Sequence, residues 1–172
     1  MKEERILINK RHLAEYIFYG GLAALVFMVP AWYFLSSADY NNAWIVYLGC
    51  IMFMFVIMFY AFQLSRRRPD YKSTMMMTTA AHIAIAVGVV LSVLASLLLC
   101  FIYIPGFMTG HSPDTYLSDA PSYTNHNNFG TLFQIFFPAT LVNFGAASFI
   151  AILGPYVFKI NQTQDKELRI KQ

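Results

Sequence analysis

Few side chains in this sequence could do chemistry, and their surroundings decide what each can do. His111, Asp114, Asp119 and His126 fall within one polar stretch, and imidazoles with carboxylates are ligands for a divalent metal. Their spacing follows no ligand pattern, and the stretch is rich in Pro, Ser, Thr and Asn, the composition of a solvated loop. No metal site is expected there. Glu15 and His82 are the acid and the imidazole that fall in or beside long apolar runs, and an ionisable group in hydrocarbon is a candidate for proton or ion traffic. Glu15 follows Lys10 and Arg11 closely, so its expected role is interfacial: complementing the helix dipole from the first turn and reaching headgroups. His82 is expected as a snorkelling or hydrogen-bonded histidine near the same surface.

Asn143 lies near the middle of an apolar run. An amide there must find a partner, either a ligand or ion in a central cavity or a group on a neighbouring helix. The interhelical bond is the preferred reading, and such bonds contribute on the order of 0.6 to 2 kcal/mol. Pro138, just before it, should bend the helix and free a backbone carbonyl, which makes this segment the expected wall of any cavity. The two cysteines, Cys50 and Cys100, also lie inside apolar runs. Free, buried thiols are expected, with a disulfide clamp between the second and third helices as the alternative.

Other signatures are missing from the sequence. There is no second intramembrane histidine for bis-histidine haem, no pair of CxxC motifs, no HExxH and no GxSxG. Enzymatic activity is therefore not expected, nor is a cofactor.

The elements that must position these residues follow from composition. With 58% hydrophobic and only 12% charged residues, the chain departs from a soluble domain, where about a quarter of residues are charged. Four apolar runs, 14–35, 43–64, 76–104 and 132–158, each meet the roughly 20 residues needed to cross a hydrocarbon core. Strands are excluded because the runs are long and unbroken and an open sheet edge is not tolerated in lipid. The expected fold is an all-α integral membrane four-helix bundle in one domain, with an outer loop at 105–130 and a polar tail at 159–172.

All 12 Lys and Arg residues precede the first run, separate the second from the third, or follow the fourth. They form three blocks, the middle one being Arg66, Arg67, Arg68 and Lys72. The other two connections carry Asp39, Asp114 and Asp119 instead. By the positive-inside rule both termini and the basic central loop face the cytoplasm. The central block is read as a topology anchor whose partners are anionic headgroups, and no nucleic-acid partner is expected. Trp32, Tyr33, Trp44, Tyr47 and Tyr103 are expected to form an outer aromatic belt, and Tyr16, Tyr19, Tyr60 and Tyr156 an inner one. A cleaved signal peptide ending near Ser36-Ser37-Ala38 is disfavoured, because its apolar core should span only about 7 to 15 residues.

The third run carries Ala80, Ala84, Gly88, Ser92 and Ser96 at four-residue spacing. Small residues let helix backbones approach in lipid, so this stripe is read as contact with another helix of the same bundle, with a dimerisation face as the alternative. Tyr19-Gly20-Gly21, the short basic second loop, Ile102-Tyr103-Ile104-Pro105 and Lys159-Ile160-Asn161-Gln162-Thr163 together resemble a domain-of-unknown-function family of small four-helix membrane proteins of Bacteroidetes. That resemblance implies a bacterial inner membrane and carries over no site residue. Separately, a glutamate in the first helix is similar to the arrangement in small multidrug transporters. The functional expectation is a structural or accessory protein, working with a membrane-protein partner or as a homo-oligomer. A small oligomeric transporter or channel is the alternative.

Overall fold

The computed structural model describes residues 10–66, 74–109, 116–121, 129–154 and 157. Helix α1 spans Lys10–Ser37, α2 Trp44–Arg66, and α3 Thr74–Tyr103. Helix α4 begins at Phe129–Phe137, passes through a π-helical turn at Pro138–Val142, and is α-helical again over 143–154. Four helices are long and apolar enough to cross a membrane, and the fold is an all-α bundle of a multi-pass membrane protein. The chain is already helical at Lys10, a turn before the expected start, while the other described boundaries fall within a turn of those expected. Arg67, Arg68, Lys72, His111, Asp114, His126, Tyr156 and the tail lie outside the described residues.

Each helix buries one stripe. On α1 it runs His12, Tyr16, Tyr19, Ala23, Phe27, Ala31 and Phe34, recurring every three or four residues as a single helix face requires. This face makes α1 the helix about which α2 and α3 are arranged: its contacts with each exceed those between α2 and α3. Sequence neighbours are therefore not the closest neighbours here.

Small residues set those distances. A Cβ on Gly20 would stand 2.7 Å from the Ala84 carbonyl oxygen and 2.9 Å from the Gly88 amide nitrogen. Gly49 of α2 meets Phe27 and Pro30 of α1 almost as closely, its Cβ position lying 3.2 Å from the Phe27 carbonyl oxygen. Ala80, Ala84, Gly88, Ser92 and Ser96 are all buried, so the stripe is spent inside the bundle.

The end of the bundle where α1 finishes and α2 begins is closed by a clasp. Ala38 ends α1 with a positive φ of 50°, turning the chain so that its carbonyl accepts the Ser118 amide at 2.8 Å, while Ser118 in turn accepts from the Tyr40 amide at 3.1 Å. Tyr116 donates its hydroxyl to the Leu35 carbonyl at 2.5 Å, and Leu117 is buried. This part of the outer loop was expected to be solvated, but it packs against the bundle. It covers helix-end carbonyls that would otherwise lack partners. Trp32, Tyr33, Trp44 and Tyr47 are exposed around this end, and the Trp32 indole donates to the Tyr103 hydroxyl at 2.5 Å.

Candidate functional site

Two groups of polar side chains lie inside the bundle. The first is at one end, around the starts of α1 and α3 and the end of α2. Tyr16 and Tyr60 are each 1% exposed and Tyr19 8%, so these three residues of the expected inner belt are instead part of the core. The rings of Tyr19 and Tyr60 stack with centroids 4.5 Å apart, and Tyr19 donates to the Gln63 side-chain oxygen at 2.6 Å. A tyrosine is amphipathic, so once its hydroxyl finds a protein partner the ring gains more from a neighbouring helix than from headgroups.

Glu15 departs from its expected place as well. Because α1 is helical from Lys10, its first turn contains no acidic residue and Glu15 falls in the second. Its Oε2 is shut away from solvent, and the side chain is engaged by its surroundings. His12 is 5% exposed. Sequence reasoning passed it over because it precedes the apolar run, although His12, Tyr16, Tyr19 and Ala23 share one helical face. His82 is half-buried, and its Nδ1 lies 2.8 Å from the Thr78 carbonyl one turn earlier. That is the geometry of a histidine satisfied by its own helix. At the end of α2, the Arg66 guanidinium lies 4.3 Å from the centre of the Phe62 ring, a cation–π contact that leaves the residue exposed.

The second group is at the helix break in α4. Pro138 has no amide hydrogen and cannot continue the α-helical ladder. The chain responds with a π-helical turn in which the Asn143 amide reaches back to the Pro138 carbonyl. Thr140 donates its hydroxyl to the Phe136 carbonyl at 2.6 Å. From α2, the Cys50 thiol lies 3.7 Å from the Pro138 carbonyl oxygen, within reach of a sulfur donor. The break is therefore repaired from two helices, as irregular backbone in lipid requires. Cys50 and Cys100 are both free thiols, so no clamp joins α2 to α3.

Asn143 follows the break and is 1% exposed. Its Nδ2 reaches only the Ala139 carbonyl, at 3.5 Å, and its Oδ1 has no hydrogen-bond partner. Ser92 and Ser96 on α3 are 0% and 1% exposed, and their hydroxyls also lack partners. Among the described residues no group of three or more His, Cys, Asp or Glu side chains is placed to hold a metal ion. The chemistry that the unpartnered groups of α3 and α4 offer is hydrogen bonding, from one amide oxygen and two hydroxyls in a low-dielectric setting. Set against known proteins, the chain matches no family model, no curated protein and no solved structure.

Proposed function

We propose that this chain is a structural or accessory protein of the bacterial inner membrane, a rigid four-helix partner for another membrane protein or for further copies of itself. Its termini and its Arg66, Arg67, Arg68 and Lys72 block face the cytoplasm and its anionic headgroups. The observation that carries this reading is how polar side chains are used: Tyr19 with Gln63 and Cys50 with Pro138 join helices of the bundle, and His82 is satisfied within α3 by Thr78. Large apolar side chains such as Phe18, Val29, Phe55, Leu94 and Phe149 face outward on every helix, a surface suited to lipid or to a membrane-embedded partner.

Purification in mild detergent with mass spectrometry tests the role. A membrane protein recovered in fixed proportion, and lost on substituting outward residues, supports it. A chain that purifies alone and makes liposomes permeable to small solutes supports the second reading, an oligomeric transporter, which the unpartnered Asn143 oxygen favours. Orientation is tested separately: a cysteine at Lys72 should stay unlabelled by an impermeant reagent applied to intact cells, and labelling there would reverse the topology.

A further inference from the structure

We propose that α3 and the break in α4 enclose a binding site for water, held by Asn143 Oδ1 and the hydroxyls of Ser92 and Ser96, within the apolar span of the bundle. This goes beyond a purely structural role, because it gives the bundle interior a ligand.

The geometry starts from Gly88, which faces Phe53 of α2 and the Gly20 carbonyl of α1. At about 100° per residue, Ala84 and Val87 are turned roughly 40° and 100° to one side of Gly88, and both meet Gly20 of α1. Ser92 and Ser96 are turned the opposite way, by roughly 40° and 80°. That side of α3 is turned away from the Gly20 contact. The helix break at Pro138–Val142 packs against both α3 and α2, and the proposed site lies where it meets this side. Ser92 and Ser96 are buried, so they face a neighbour rather than lipid.

The two packed elements, α3 and the break with Asn143 at its end, thus carry three buried oxygens, and none has a protein partner. Asn143 Oδ1 can only accept, while each serine hydroxyl can both donate and accept. A ligand joining them must donate to the amide and exchange hydrogen bonds with the hydroxyls. It must also be small enough to fit between elements whose buried residues include Ala139, Ser92 and Ser96. Water meets each condition, and a buried water usually makes two to four such bonds, about three on average. An apolar occupant would leave each oxygen unsatisfied.

Water-edited NMR on the full chain in lipid nanodiscs, with isotope-labelled asparagine and alanine, is the test. Rapid transfer from water to the Asn143 side-chain amide is expected, approaching that of the exposed Asn41 and well above that of the Ala147 backbone amide. Transfer to Asn143 no faster than to Ala147 would overturn the site. In a Ser92→Ala/Ser96→Ala chain the transfer should fall to the Ala147 level, and undiminished transfer would remove the serines from the site and with them the proposal. Should that double variant fail to insert, Ser96→Ala alone is read in the same way, and the measurement on the unaltered chain already decides whether water is present.

Discussion

Gly20 on α1 and Gly88 on α3 meet backbone to backbone: a Cβ on Gly88 would stand 3.1 Å from the Gly20 carbonyl oxygen and 2.8 Å from Cζ of Phe53. At Gly20 a methyl group must displace a helix, since the atoms in the way are mostly main chain, whereas at Gly88 the Phe53 ring has to give way first. Gly20→Ala is expected to cost roughly 1–3 kcal/mol as overpacking, and Gly88→Ile more. Gly145 supplies the control, because nothing lies within 4 Å of its Cβ position. Gly145→Ala should be neutral or stabilising. Thermal unfolding of the three variants in one detergent checks the ordering, and equal midpoints would show that the α1–α3 contact does not limit stability.

The repair of the α4 break depends on a side chain from another helix. Cys50→Ala withdraws the thiol from the Pro138 carbonyl and should cost on the order of 1 kcal/mol. Cys50→Ser keeps a donor and should recover most of that loss. Thiol counting on denatured, unreduced protein should return two free thiols per chain.

Ala38 holds a φ of 50°, a left-handed conformation that costs a residue with a Cβ about 1–2 kcal/mol. Part of that penalty is offset because glycine loses more freedom on folding, so Ala38→Gly should stabilise the protein by roughly 0.5–1 kcal/mol. Unfolding midpoints measure it. A destabilised Ala38→Gly chain would mean that the methyl group supports the clasp.

Burial pushes the Tyr116 phenol above its usual value near 10, and Cys100 and Tyr103 push in the same direction. The hydroxyl that bonds to Leu35 is thus held protonated in the fold. Below pH 10 folded and unfolded chains both keep this proton, and the full stability is present. As pH rises above 10 the unfolded chain releases it first, so stability falls until the folded phenol titrates too. Tyr116→Phe should cost about 1 kcal/mol at neutral pH and lose less than the unaltered chain above pH 10. Parallel unfolding curves for the two across that range would contradict the shift.

How much of this was legible in the sequence differs from residue to residue. The four spans were, because runs of this length and polarity have one solution in lipid. The stripe from Ala80 to Ser96 was legible as packing, but its partner was not: nothing local to α3 says that Gly20, rather than a residue of α2, lies opposite Gly88. Tyr16, Tyr19 and Tyr60 were misplaced because tyrosine suits both an interface and a core, and the partner of Tyr19, Gln63, reaches it only once α1 and α2 are paired. Pro138 announced a disturbed helix, yet a π turn repaired by a thiol from α2 depends on contacts between distant parts of the chain.

The central position of α1 also bears on how the bundle is put together. This helix leaves the ribosome before α2 and α3, and its main neighbour, α3, becomes available only after α2 and the basic loop have been made. In the interval α1 can pair only with α2, through Gly49 against Phe27 and Pro30, leaving the Gly20 surface open to lipid or to whatever attends insertion. The hairpin of α1 and α2 is thus the natural early folding unit. Closure by α3 is a later step of long sequence separation, and such steps are slow because chain entropy is lost before the contact forms. Substitutions at Gly49 and Gly20, similar in chemistry, should consequently act at different moments of biogenesis.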